Sequence, residues 1–155
     1  MADKYPIILL ILNAASTWYM VGLIWMVQLV HYPLFSKVGT DNYDTYQRLH
    51  QYLTTIAVGP AMLVEAFTAV LLITYRPANV SVKLVLIGFV LILAIWLSTA
   101  FLQVPCHGKL EKGFDESVHR FLVNSNWIRT FAWTLRGALV AWMVWLVMGP
   151  LDQAA

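Results

Sequence analysis

The chain has 155 residues, of which 60% are hydrophobic and 12% charged, with a formal net charge of +2. Soluble domains carry roughly 45–50% apolar and about 25% charged residues, so this balance excludes an ordinary soluble globule, and the small charge excludes a nucleic-acid binder. Seven Trp, seven Tyr and a mean hydropathy of +0.69 fit a single domain, residues 1–155, whose partner is the lipid bilayer.

Spanning a bilayer takes about 20 mostly apolar residues, and four stretches reach that length. The first runs over residues 6–32 and reads as a retained helix, with Pro6 in its first turn and Pro33 expected to end it. The second covers residues 53–75, and TYQRLHQYL leads into it without a breaker, so the helix begins earlier, with Asp41 or Asp44 as its cap. Pro60 should kink this helix and free a carbonyl. The third covers residues 81–104, closed by Pro105. The fourth covers residues 126–148, closed by Gly149-Pro150, and Asp115 can cap the segment that leads into it. Gly22, Gly59, Gly88 and Gly137 offer places for close helix contact. The expected architecture is all-α: an integral membrane four-helix bundle, up-down-up-down, with both termini on one side. The loops 33–52 and 105–125 share the other side. They carry more Lys and Arg, which places them in the cytoplasm of what reads as a bacterial inner membrane.

Every span has one polar stripe at helical spacing. Asn13, Thr17, Gln28 and His31 share a face of the first. Tyr43, Tyr46, His50, Thr54, Glu65 and Thr68 share one in the second. Thr99 and Gln103 mark the third, with His107 beyond. His119, Asn126, Arg129, Trp133 and Arg136 mark the fourth. Lipid cannot satisfy these groups, so the stripes should face one another inside the bundle. Glu65 and Arg136 sit at matching depth near mid-span, and a lone charge there costs several kcal/mol, so they should pair. They would form the floor of a polar pocket open toward the loops 33–52 and 105–125, with Glu65, Asn126, Arg129 and Arg136 as candidate catalytic groups.

All four histidines, His31, His50, His107 and His119, fall in that half of the bundle. Four imidazoles suit a transition metal (Cu, Fe or Zn) or haem, which makes them candidate metal ligands. No HxxxH or CxxC spacing supports this, and for any one histidine a hydrogen bond to loop backbone is the plainer role. Gln28, Gln103, Trp133 and Tyr46 are candidate ligand-binding residues. Arginine, amide and aromatic groups also suit an anionic or phenolic molecule without metal, with histidine as general base. The single cysteine, Cys106, permits no internal disulfide.

The segment from Pro105 to Arg136 reads PxHxxL and then RFLVxxNWIRTxAWxxR. With four spans and a histidine near the end of the first, it resembles the anthrone-oxygenase-like family of small four-helix membrane proteins. The resemblance implies an oxygenase or related oxidoreductase acting on an aromatic, lipid-soluble substrate, with Asn126, Arg129 and His107 in the site. The expected function is therefore a membrane-embedded oxidoreductase for a lipid-soluble aromatic or quinone-like molecule. The alternative is a non-catalytic binder of haem or a small amphipathic ligand, or an accessory subunit. The apolar exterior leaves room for a homo-oligomer or a larger membrane complex.

Overall fold

The computed structural model describes residues 4–149; Pro150, expected to close the last span, lies outside them. The described chain is all-α. Four helices are long and apolar enough to cross a membrane: α1 (Lys4–Lys37), α2 (Tyr43–Thr74), α3 (Val82–Leu110) and α4 (Glu116–Met148). Side-chain pairs run in opposite senses along neighbours. Asn13 meets Thr68 at 2.8 Å, Tyr19 meets the Ala57 carbonyl at 3.2 Å, and His31 meets His50 at 2.9 Å, so α1 and α2 are antiparallel. Trp25 bonds Thr134 at 3.0 Å while Asn13 bonds Arg136 at 2.9 Å, which sets α4 antiparallel to α1. Arg136 on Gly88 and Gln103 on Ser125 do the same for α3 and α4. The helices thus form a four-sided ring in chain order, up-down-up-down. Contact is sparsest along the α2–α3 seam. Large apolar side chains such as Leu53, Phe67, Val90, Phe101 and Leu135 cover the outside.

As expected, α2 and α4 begin well before their apolar stretches. Asp115 caps α4, accepting the Val118 N–H at 3.0 Å. The Ser117 hydroxyl and that N–H hold its carboxyl below the usual carboxylate range. At the start of α2, Asn42 takes the cap position, and Asp44 lies in the first turn, bound to Arg48 at 3.0 Å. Pro60 lies inside the unbroken α2.

Two helices run further than expected. Neither Pro33 nor Pro105 ends its helix. In α1, residues Val27–His31 form a π-turn, and α-helix resumes at Tyr32 with Pro33 second. In α3, residues Thr99–Gln103 form another, and α-helix resumes at Val104 with Pro105 second. A proline ring collides with the preceding turn of a regular α-helix, and the wider π-turn gives it room. The same device occurs in both helices, close to the ends that lead into the 38–42 and 111–115 connections.

A buried polar layer separates two apolar cores. One core holds Met20, Ile24, Phe35, Leu110 and Leu122; the other holds Leu10, Leu72, Val85 and Val140. Between them Arg136 Nε donates to Glu65 Oε1 at 2.7 Å, as their matching depth predicted. Both groups have further partners, all of them neutral. Thr17 and Trp133 donate to the Glu65 carboxylate at 2.7 and 3.1 Å. Arg136 also donates to the Gly88 carbonyl at 2.7 Å and to Asn13 Oδ1 at 2.9 Å. A Cβ on Gly88 would stand 2.8 Å from Arg136 Nη1, whereas one on Gly59 would meet nothing within 4 Å; Gly22 is equally open. Gly137 is tight, with Val21 at 3.0 Å. Gly88→Ala is therefore expected to lower the thermal midpoint in detergent by about 4–10 °C, an overpacking cost spread over a chain of this size. Gly59→Ala should leave the midpoint level or raise it. Equal midpoints for the two variants would mean that Arg136 is not held against Gly88.

Candidate functional site

A cavity of about 370 Å³ lies among the helices in the half of the bundle nearest the 38–42 and 111–115 connections. That is the lower end of the range for small-molecule pockets. Its apolar wall comes from Met20, Ile24 and Val27 of α1 and Val58 and Met62 of α2, with Trp96 of α3 and Trp133 of α4. Its polar end gathers Tyr32, His50, Thr54, Thr99, Gln103, His107 and Arg129.

Arg129 dominates this end. Its Nε donates to Asn126 Oδ1 at 2.9 Å, and its Nη2 reaches both that oxygen and, at 3.1 Å, Tyr32 Oη. Asn126 is itself held by Gln28 Oε1 at 2.8 Å. Arg129 is 7% exposed, and no carboxylate lies within ion-pair reach of it among the described residues. The nearest charged layer is already closed, because Glu65 is taken by Arg136. A buried guanidinium with only neutral partners, facing a cavity, has the charge and donor geometry to receive an anion.

Tyr32 links this cation to a histidine. Its Oη lies 3.0 Å from His107 Nε2, and His107 Nδ1 lies 2.7 Å from the Gln47 amide. With the amide N–H donating to Nδ1, Nε2 carries the proton and donates to Tyr32 Oη. The tyrosine oxygen then receives two N–H groups, and its own hydrogen points toward the cavity. The reverse arrangement requires the Gln47 amide to turn over, so that its Oε1, which has no partner, accepts Nδ1–H while Tyr32 gives its hydrogen to Nε2. The Tyr32–His107 pair can therefore give a proton to a cavity ligand or take one from it.

Three of the four histidines come together. The His31 and His50 rings are 4.8 Å apart and bonded through Nε2 and Nδ1 at 2.9 Å; His50 and His107 are 5.2 Å apart. His119 stands apart, with its Nε2 2.8 Å from the Tyr32 carbonyl, where it fastens the end of the first π-turn. The nitrogens that face one another are already bound to one another, to Thr54, to Gln47 or to Tyr32. Among the described residues no group of three or more His, Cys, Asp or Glu is placed to hold a metal ion. The four-histidine donor set expected from sequence is not assembled among the described residues.

Of the other candidates, Arg129, Gln103 and Trp133 line the cavity, as do His50 and His107. Asn126 and Gln28 stand behind Arg129 and hold it. Tyr46 does not line the cavity and packs on Phe35 with ring centroids 5.8 Å apart. Glu65 and Arg136 are not the floor. Trp133 is, and the ion pair lies beneath it, joined through the indole N–H. The expected opening toward the loops is also absent. Phe35, Leu110, Leu122, Gln47 and Tyr43 seal that end, all at most 1% exposed. Tyr32 and Gln47 were missed by the sequence reading. Tyr32 sits four residues after Gln28, on the same helical face, and that spacing is the signal that could have found it.

Comparison with protein-family models, with curated proteins and with solved structures gives no match in any of the three.

Proposed function

We propose that the protein is a membrane-embedded site for a lipid-soluble aromatic molecule with an ionisable hydroxyl, a phenol or quinol. Arg129 receives the oxygen as an anion, and the Tyr32–His107 pair handles its proton. The single observation that carries this reading is Arg129, a buried cation without a carboxylate, sharing Tyr32 Oη with His107 at the cavity wall. A quinolate gives up electrons more readily than a quinol, so removing this proton serves oxidoreductase chemistry. That matches the oxygenase-like class implied by the resemblance of residues 105–136. The four apolar helices support the membrane setting. The excess of Lys and Arg on the 38–42 and 111–115 side supports a cytoplasmic placement of that side in a bacterial inner membrane.

The test uses purified protein in nanodiscs and the chromophoric probe 4-dodecyl-2-nitrophenol, which absorbs where tryptophan emits. Trp96 and Trp133 line the cavity, so energy transfer reports binding. Saturable binding is expected, with the O-methyl ether at least about tenfold weaker, the equivalent of one charge-assisted hydrogen bond. Equal affinity for phenol and ether would refute an anion site. A Soret band, or stoichiometric Cu, Fe or Zn in the purified protein, would move the reading to a haem or metal site.

A further inference from the structure

We infer that the ligand enters sideways, through a portal between α2 and α3, and keeps a hydrocarbon tail in that portal while its acidic head rests on Arg129. This deepens the proposed function and rests on it. Four observations lead here. First, the axial route is shut: Phe35, Leu110 and Leu122 are fully buried across the end of the bundle nearest the polar groups. Second, the opposite route is shut by Trp133 and the ion pair beneath it. Third, the cavity-lining residues that are also exposed all belong to α2 and α3. Leu63 and Val104 are 61% and 59% exposed, and Thr55 and Trp96 are exposed beside them. Those from α1 and α4 are buried or half-buried. Fourth, Gly59 lies on this rim with open space where a Cβ would be, and the α2–α3 seam is the sparsest in the ring.

The portal faces the same way as the apolar outer surface, so its other side is hydrocarbon and not water. A molecule whose polar part is only a head, and whose remainder can stay in the bilayer, fits this geometry. The substrate class is therefore a phenol or quinol bearing a long alkyl or isoprenoid tail, in preference to a compact, tailless aromatic. At the outer end of the seam, toward the 111–115 connection, Gln51 reaches Glu111 at 3.4 Å and closes the gap above the portal. This leaves the opening at the depth of Thr55 to Leu63.

Gly59→Phe would plug the portal without touching Arg129, Tyr32 or His107. Val104→Trp does the same from the facing helix and serves if the first variant folds poorly. Stopped-flow mixing of nanodiscs with vesicles carrying 4-dodecyl-2-nitrophenol gives both rate constants. For either variant, association of the tailed probe is expected to slow by about tenfold or more and its equilibrium affinity to weaken as well, because the new side chain takes the tail's place, while affinity for the tailless 4-methyl-2-nitrophenol stays within about threefold of the wild type. The tailless 4-methyl-2-nitrophenol is expected to bind the wild type at least about tenfold more weakly, from the apolar area it no longer buries. Unchanged rates in both plugged variants would overturn the portal while leaving the anion site standing. So would weaker binding with unchanged association, because the new side chain would then lie outside the entry path. Tail-independent affinity would overturn the substrate class. Absence of saturable binding by the wild type would overturn the portal together with the reading it rests on.

Discussion

Glu65→Gln and Arg136→Gln are each expected to lower stability by about 3–5 kcal/mol, and the double variant by clearly less than their sum. Both side chains are only 2% exposed, so removing one charge strands the other where no water can reach it. The stranded charge carries most of the cost. Loss of Glu65 leaves Arg136 with Gly88 and Asn13, two neutral acceptors. Loss of Arg136 leaves Glu65 with Thr17 and Trp133, two neutral donors. The double variant keeps most of those neutral bonds and buries no net charge. The pair ties α2 to α4 across the ring, and Asn13 and Gly88 bring in α1 and α3, so all four helices meet at one layer. Urea or SDS titration of the three variants in the same detergent gives the coupling energy. Additive losses would mean that the two groups do not act as a pair. Because Trp133 forms the cavity floor and donates to Glu65, both single variants should also loosen probe binding.

Arg129→Gln is expected to behave in the opposite way. Arg129 has no carboxylate to strand, and glutamine keeps an amide donor near Tyr32 and Asn126. The variant removes a buried cation whose burial costs free energy, so its thermal midpoint should equal or exceed that of the wild type. Its binding should suffer instead. Losing the charge-assisted bond to a phenolate is worth about 2–3 kcal/mol, or roughly 30–150-fold in affinity for 4-dodecyl-2-nitrophenol. Affinity for the O-methyl ether should barely move. Two arginines two turns apart on one helix would thus be separated by one pair of measurements: Arg136 holds the fold, and Arg129 holds the ligand. A large drop in stability for Arg129→Gln, with no change in phenol selectivity, would assign it to the scaffold as well.

Much of this was legible in the residues. Four apolar stretches gave four helices because backbone in hydrocarbon has few other options. Glu65 and Arg136 could be paired from depth alone, since α2 and α4 cross in the same direction and each residue lies near the middle of its span. The early starts of α2 and α4 followed from uninterrupted helical sequence. The local geometry of the site was harder to read. Periodicity of 100° per residue holds only for a regular α-helix, and the π-turn at residues 27–31 advances less than that at each step. It turns His31 partly outward and brings Tyr32 inward. A histidine expected as a ligand became a neighbour, and a tyrosine read as the last residue of a span became the centre of the polar end. The prolines misled for the same reason, since nothing in Pro33 or Pro105 announces the wide turn that lets each helix continue. The sealed end was also hidden: Phe35, Leu110 and Leu122 lie far apart in sequence, and only the fold brings them together.

The measurement that bears most directly on the anion site is the ionisation of the bound probe. The nitrophenol changes its absorption when it loses its proton, so a pH titration of the nanodisc-bound form gives its apparent pKa in the cavity. A cation against the phenol oxygen favours the phenolate, so the pKa should fall below that of the same probe in protein-free nanodiscs and return to it or above in Arg129→Gln. A bound probe whose pKa is unchanged or raised in the wild type would contradict the account, because the head would then be resting in an apolar pocket and not on Arg129.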